Sequence, residues 1–508
     1  HIAIVDDEVM NEEIEEAILS SHFDAPSAVS LIYNQYIALL GKTKDDLIRE
    51  RTGDMMDIKL RLLRALAGEE HVGLSQLDAP VVIVADDLLP SDTATMDRGK
   101  VLAMITQVGG ATSHSAIIAR SYDIPAVLGA AGAMEQLRDG ETVVVDAEKG
   151  LVLTALSQKE LDAYTELSRK RSEEKRQMQM YRAVQPVTRD GRQIQVELNM
   201  ESLTQDVLDS RDDVCGVGLF RTEFLYLGRS ELPSEEEQFQ VYRKVAEAFG
   251  EKPVTLRTLD IGGDKQAECL ALPQEMNPFL GNRALRLCLA KPDVFLTQLR
   301  AALRASAYGK LQIMFPMVSG MEDIHAAKRL LEQAKEQLRK EGLAFREDIP
   351  VGIMVEIPSV ALIAGMAAQE VDFASIGSND LCQYLTAADR LNPQVSQYYR
   401  SFHPAMFRLI GMVVEAFHKE GKPVAVCGEM GGNPVSALAL LGLGVDALSM
   451  GRSAVPYIKR MITSVRLEQA QKLAQRIQTM ALADDIQNAL TDCLHDILSR
   501  GCEESMEK

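Results

Sequence analysis

The chain changes hydrophobic rhythm along its length. Up to residue 72, apolar positions recur every three or four residues, as at Ile14 and Ile18 and again at Leu60, Leu63 and Leu66. That is the period of helices with one buried face. From about residue 79, short β-branched runs (Val81–Val84, Val101–Leu102, Thr142–Val145) alternate with helical segments and glycine turns, which predicts a small α/β domain. Residues 157–184 are highly charged and poor in strand formers, and they predict one long exposed helix that serves as a linker.

From about 190 to 475 the pattern yields eight strand-like runs: Ile194–Asn199, Val214–Phe220, Val254–Asp260, Leu311–Met317, Val351–Glu356, Phe373–Ser378, Val424–Gly428 and Ala447–Met450. Helical patterns separate most of them. Eight β/α repeats in roughly 285 residues match a TIM barrel in count and size. The gap between the third and fourth runs must hold an extra loop, Gly262 through Gly281, besides a helix. The final stretch is helical. The expected fold class is therefore α/β: a helical domain over 1–72, a small α/β domain over 73–155, a linker helix over 156–184, and a C-terminal (β/α)8 TIM barrel over 185–508.

A length of 508 residues suits about three domains. The 54 Lys and Arg against 74 Asp and Glu give a net charge of −20. Sequence-independent nucleic-acid binding needs a positive surface, so no nucleic-acid partner is expected; a basic protein partner suits this charge better. The first 72 residues carry fifteen acidic and seven basic side chains, which reads as a solvated helical bundle or as an acidic docking face. The seven cysteines are scattered with no C-x-x-C pair. This argues for a reducing cytoplasm and against structural zinc. No apolar run is long enough to span a membrane, and no signal peptide is visible.

The densest chemistry lies at Gly109-Gly110-Ala111-Thr112-Ser113-His114-Ser115. A helical run, Ala116–Arg120, follows it. His114 then sits at a helix N-terminus, where unpaired N–H groups and the helix dipole favour an anion. A histidine so placed can act as a nucleophile that accepts a phosphoryl group. The plainer reading has Thr112 or Ser113 simply capping the helix.

In a TIM barrel the active site forms at the C-terminal ends of the strands. Polar residues fall there. Arg221 follows the second run and Arg257 lies in the third. Glu356 ends the fifth, Asn379 and Asp380 follow the sixth with Arg390 beyond, and Cys427 closes the seventh. Guanidinium groups suit phosphate and carboxylate oxygens bidentately. Glu356 and Asp380 are hard oxygen ligands suited to Mg²⁺. Cys427 can hand a proton to carbon. The implied ligand is a small anion bearing both phosphate and carboxylate. Taken singly, each arginine reads as a surface ion pair, Glu356 as a partner for one of them, and Cys427 as an inert buried thiol; the weight lies in their shared placement.

Six further stretches carry a resemblance: Gly216–Phe224, Arg257–Lys265, Asn277–Arg283, Val355–Pro358, Ser375–Leu381 and Cys427–Met430. With Gly109–Arg120, the chain resembles along essentially its whole length enzyme I of the bacterial sugar phosphotransferase system. The resemblance implies that phosphoenolpyruvate is held by Arg221, Arg257, Asn379 and Arg390, with Arg283 close by. It implies Mg²⁺ on Glu356 and Asp380, and Cys427 as proton donor to the enolpyruvate carbon, giving pyruvate. His114 would carry the phosphoryl group on Nε2 and pass it to a small histidine-containing phosphocarrier protein docked on the N-terminal helices. A homodimer formed through the barrel domain is also implied, as is a swing about the linker between the two transfers. The family begins with a strand and about two helices ahead of the position of His1, so the chain is expected to be N-terminally truncated. Gly431-Gly432-Asn433 and Ser378 depart from the family pattern (Ala-Gly-Asp and threonine) without touching a proposed catalytic group. Pyruvate phosphate dikinase and phosphoenolpyruvate synthase share both domain types but need an upstream nucleotide-binding domain. Two alternatives stay open: a nitrogen-branch enzyme I, and a non-catalytic module that senses phosphoenolpyruvate or pyruvate.

Overall fold

A computed structural model of the chain describes residues 2–41, 46–68, 74, 77–88, 92, 96, 97, 99–109, 114–121, 124–263, 265, 267–273 and 275–506. The chain divides into two compact units, 1–172 and 173–508. The boundary falls inside the charged helix Gln158–Gln179.

In the first unit, the helices Glu8–Leu19, Ala25–Gly41 and Asp46–Ala67 bury the stripe that the three- and four-residue spacing predicts. Met10, Val29, Ile32, Tyr33, Met55 and Ile58 form its core. Asp7 caps the first of these helices, accepting from the Met10 N–H at 2.9 Å, which satisfies one of the orphan amides at its start. The β-branched runs become strands β1 (Val81–Ala85), β2 (Val101–Thr106) and β3 (Ala126–Val127), paired in parallel in the order β1-β2-β3. The helix His114–Ser121 forms the crossover from β2 to β3. An antiparallel pair, β4 (Val144–Asp146) with β5 (Leu151–Leu153), completes the unit's described strands.

The second unit is a closed, all-parallel barrel of eight strands. They are β6 (Gln195–Met200), β7 (Gly216–Arg221), β8 (Val254–Arg257), β9 (Leu311–Phe315), β10 (Val351–Val355), β11 (Phe373–Gly377), β12 (Val424–Cys427) and β13 (Ala447–Met450). Each lies within or beside a run read from the sequence, and the TIM-barrel expectation holds. Helices follow the strands and wrap the outside. Local sequence sets their ends. Ser234 and Glu237 make a reciprocal capping box at the helix Glu235–Phe249. Gly342 stops the helix Met321–Glu341 with φ 71°, a left-handed conformation in which glycine carries no Cβ penalty.

Alternate strand residues separate two cores. Val196, Leu198, Val254, Leu256, Ile313 and Ile353 face the helices in one continuous apolar cluster. Leu219, Met314, Met354, Phe373 and Cys427 form a second, small cluster. They come from five strands, not all neighbours, so they can meet only inside the barrel. This plug fills the interior below the mouth and leaves the polar strand ends above it. Among the described residues, no helix is long and apolar enough to cross a membrane.

Candidate functional site

Parallel strands present all their C-terminal ends at one mouth. Arg221, Arg257 and Cys427 are the last residues of β7, β8 and β12. Glu356 directly follows β10. Asn379 and Asp380 open the helix Ser378–Thr386 that leaves β11. Arg283 comes from the long connection between β8 and β9, and Arg390 from the segment beyond Thr386. The structure thus brings all eight barrel residues singled out in the sequence to the same end.

Their charges alternate in a ladder. Glu223 Oε1 accepts from Arg257 Nη2 and from Lys265 Nζ, each at 2.6 Å. Arg257 Nη1 lies 2.9 Å from Asp260 Oδ2. Arg283 Nη2 donates to Asp260 Oδ1 at 2.9 Å. Arg283 Nη1 reaches Asp380 Oδ1 at 3.5 Å, and Arg390 Nη1 stands 3.6 Å from that same oxygen. The Phe279 ring lies beside both Arg283 and Arg390, with guanidinium-to-centroid distances of 5.8 and 5.9 Å. Tyr384 accepts from Arg283 Nη1 at 3.2 Å and donates to the Phe279 carbonyl at 2.5 Å. Arg221 sits at the rim, paired with Glu201 at 3.0 Å.

Arg257, Arg283, Asp260 and Glu223 are all nearly inaccessible to solvent. Such charges are tolerated in a protein only when they are paired. Burial opposes ionisation of Asp260, yet Arg257, Arg283 and Lys265 hold its carboxyl far below the usual range. Burial likewise opposes Glu223, and Arg257 and Lys265 overcome it. Glu356 is different. Burial, with Asp380 and Asp260 nearby, pushes its carboxyl up to about 8. Its Oε1 accepts the Met317 N–H at 2.6 Å, with Met317 in a left-handed φ of 53°. It is therefore not simply the partner of an arginine.

The mouth also keeps unused polar atoms. Glu356 Oε2, Glu223 Oε2 and the Nε atoms of Arg257 and Arg283 are buried without a hydrogen-bond partner. Buried polar groups are normally satisfied, so this cluster marks where a polar ligand would complete the set.

Cys427 is 2% exposed. Its Sγ lies 3.6 Å from the Ile376 carbonyl. Burial pushes its thiol up, outweighing the opposing effects of Ser375 and Arg257, so at neutral pH the sulfur keeps its proton. Gly428 follows with φ 95°, and a Cβ there would stand 2.6 Å from Ser378 Oγ. Glycine thus lets β12 and the helix after β11 close on each other. Across that contact Ser378 Oγ donates to the Cys427 carbonyl at 3.1 Å, and Asn379 Oδ1 accepts the Glu429 N–H at 3.1 Å.

In the other unit, the helix His114–Ser121 begins at His114. Ser115 is fully buried and its hydroxyl donates to Asp87 Oδ1 at 2.8 Å, fixing the helix start to the end of β1. The His114 side chain lies outside the described residues, as do residues 110–113 with the capping role read for Thr112 or Ser113, and Asp264.

Glu223, Asp260, Lys265, Phe279, Tyr384 and Asp87 join the sites without having been singled out in the sequence. The signal for four of them was present. Asp260 and Lys265 lie inside the Arg257–Lys265 stretch, Glu223 inside Gly216–Phe224 and Phe279 inside Asn277–Arg283. Among the described residues, no group of three or more His, Cys, Asp or Glu side chains is gathered as a metal cage; Glu356 and Asp380 form a pair.

Three family descriptions match the chain: "PEP-utilising enzyme, PEP-binding domain" over residues 175–467, "PEP-utilising enzyme, mobile domain" over 77–150, and "PEP-utilising enzyme, N-terminal" over 1–51. A phosphoenolpyruvate-protein phosphotransferase of Staphylococcus carnosus is 42% identical over 96% of this chain and 85% of its own length. That of Priestia megaterium is 41% identical over 97% and 86%. An NMR solution structure of Enzyme I (nEIt) is 37% identical, covering 34% of this chain and 69% of its own, with a TM-score of 0.29. With its phosphate-suited ladder, its buried thiol and this likeness along nearly its whole length, the chain belongs to the phosphoenolpyruvate-protein phosphotransferase family of PEP-utilising enzymes.

Proposed function

We propose that this enzyme moves the phosphoryl group of phosphoenolpyruvate onto His114, releases pyruvate, and passes the group to a small histidine-containing phosphocarrier protein, the first step of sugar uptake by a phosphotransferase system. The observation that carries this reading is the ladder of buried arginines and carboxylates that shares one barrel mouth with a neutral thiol.

Arg257, Arg283 and Arg390, with Arg221 at the rim, neutralise the phosphate and carboxylate of the substrate, and Asn379 adds an amide. Their partner carboxylates hold the guanidiniums oriented before substrate arrives, so little reorganisation is needed as charge shifts in the transition state. The imidazole of His114 attacks the phosphorus in line; phosphoryl transfer asks little more of a protein than position and charge. Cys427 then gives its proton to C3 of the enolpyruvate. Two carboxylates, one with an unpartnered oxygen, fit the usual Mg²⁺ arrangement of one or two carboxylates plus substrate phosphate. Glu356 and Asp380 would hold the ion, which when bound would neutralise charge on the transferring group.

His114 and the mouth belong to separate compact units, so the linker around 156–184 must let them meet for the first transfer and part for the second. The acidic helical domain over 1–72 suits a basic face on the carrier protein. Scattered cysteines with no C-x-x-C pair suit a reducing cytoplasm, and a homodimer through the barrel domain completes the proposal.

The test is stoichiometric. Mixed with phosphoenolpyruvate and Mg²⁺, the chain should release a burst of pyruvate equal to the enzyme present and then stop. Adding phosphocarrier protein should restart release, and chelation with EDTA should abolish the burst. Absence of the burst with Mg²⁺ present would reject the enzymatic reading in favour of a sensing module.

A further inference from the structure

The barrel interior holds one carboxylate that the chemistry above does not use. Glu197 is the third residue of β6. Outward-facing neighbours on that strand, Val196 and Leu198, pack against helices, so Glu197 faces inward. In the strand pairing Glu197 is level with Ser449 of β13. On the other side of β13, Ala447 and Leu448 pair with Ala425 and Val426 of β12, which sets Ser449 level with Cys427. Side chains level on neighbouring parallel strands share a face, about 4.8 Å apart from strand to strand. Cys427, Ser449 and Glu197 therefore form one row across three adjacent strands, just under the substrate mouth.

The details of the row fit a path for protons. A Cβ on Gly218 of β7 would collide with both Glu197 Oε2 and Ser449 Oγ, so the two oxygens converge over a space that only glycine leaves open. Ser449 is fully buried and its hydroxyl donates to Asn199 Oδ1 at 2.5 Å. Its lone pairs stay available to a second donor, and rotation of one hydroxyl redirects its proton. Glu197 keeps some accessible surface. Burial pushes its carboxyl up to about 7, so near neutral pH it both holds and releases a proton. The polar group set beside its carboxylate across Gly218 is the Ser449 hydroxyl; the charged groups of the interior, Arg221, Arg257 and Glu356, gather instead around Cys427.

We infer that Glu197 is a proton store for Cys427, delivering through Ser449 from the side of the barrel away from substrate. The inference rests on Cys427 being the proton donor. When the Cys427 S–H bond breaks and its proton forms the new C–H bond of pyruvate, a thiolate remains in a closed site with product over the mouth. Ser449 O–H gives its proton to that sulfur and takes one from the Glu197 carboxylic acid. The Glu197 carboxylate then takes a proton from solvent hydronium, leaving water. Glu197 and Ser449 are positioning residues in this scheme, acting on substrate only through the thiol.

Exchange of the pyruvate methyl hydrogens in D₂O, with the full chain and Mg²⁺, tests it by mass spectrometry. A thiol recharged from behind swaps its proton while pyruvate stays bound, so the wild type should yield doubly and triply deuterated pyruvate from the earliest times. Glu197→Gln and Ser449→Ala should lower exchange by about tenfold or more and give singly deuterated pyruvate first. Ser449→Thr, which keeps the hydroxyl, should restore multiple labelling. Single-turnover phosphorylation of the chain by phosphoenolpyruvate and the melting temperature should be unchanged in Glu197→Gln. A wild-type labelling pattern in Glu197→Gln overturns the inference, as does parallel loss of phosphorylation and exchange. Cys427→Ala separates the two levels: if it exchanges like the wild type, the donor reading itself fails; if it is silent while Glu197→Gln is normal, only the store fails.

Discussion

Replacing Cys427 with alanine should slow pyruvate formation by about 10²–10⁴-fold while leaving affinity for phosphoenolpyruvate near the wild-type value. The thiol ends β12 with its sulfur beside the Ile376 carbonyl, and burial keeps it protonated. The groups proposed to hold the ligand are elsewhere: the guanidiniums are tied to Glu223, Asp260 and Asp380 on other elements. The substitution thus removes a proton and a small volume from the apolar plug, and no anion contact. A coupled pyruvate assay beside a direct binding titration reads both quantities. A large loss of affinity with turnover intact would contradict the proton-donor role.

Asp260→Ala should be the most damaging single change to the barrel. One carboxylate serves Arg257, Arg283 and Lys265, and removing it leaves buried Arg257 to Glu223 alone and buried Arg283 to the longer Asp380 contact. Breaking a buried pair by deleting one partner costs about 3–5 kcal/mol, a large share of the stability of a folded domain. Denaturant unfolding of the full chain should show that loss, and substrate affinity should fall with it because Arg257 and Arg283 lose their orientation. The pH dependence has a definite sign. The folded pKa of Asp260 is depressed, so its stabilisation is fully present above the unfolded value of about 3.9 and disappears as pH falls through the folded value. Asp260→Ala should flatten that part of the acid limb. Wild-type stability in this variant would mean the ladder is incidental to the fold.

The sequence made the barrel legible because strand-forming runs and helical periods are local properties, and a repeated alternation of the two admits few architectures. The rule that barrel chemistry gathers at strand C-termini then turned a list of scattered residues into one mouth. Pairing was less accessible. Glu223 reaches Arg257 because the short 3₁₀ turn Thr222–Leu225 folds back directly after β7, and a sequence does not announce that bend. Phe279 beside Arg390 and Asp87 under Ser115 are contacts across tens of residues. Glu197 was hidden for another reason. A polar residue alternating with Val196 and Leu198 reads locally as a solvent-facing position, and only closure of the eight strands into a barrel turns that face inward.

We propose that the barrel's cationic mouth and the histidine at a helix start in the other unit act on one phosphoryl group. The most direct measurement locates that group. After brief exposure to [³²P]phosphoenolpyruvate and Mg²⁺, acid-labile, base-stable label should lie in the peptide containing His114, matched by an equal amount of pyruvate, with none on His114→Ala. Label on a different residue, or pyruvate released in quantity by His114→Ala, would contradict the account.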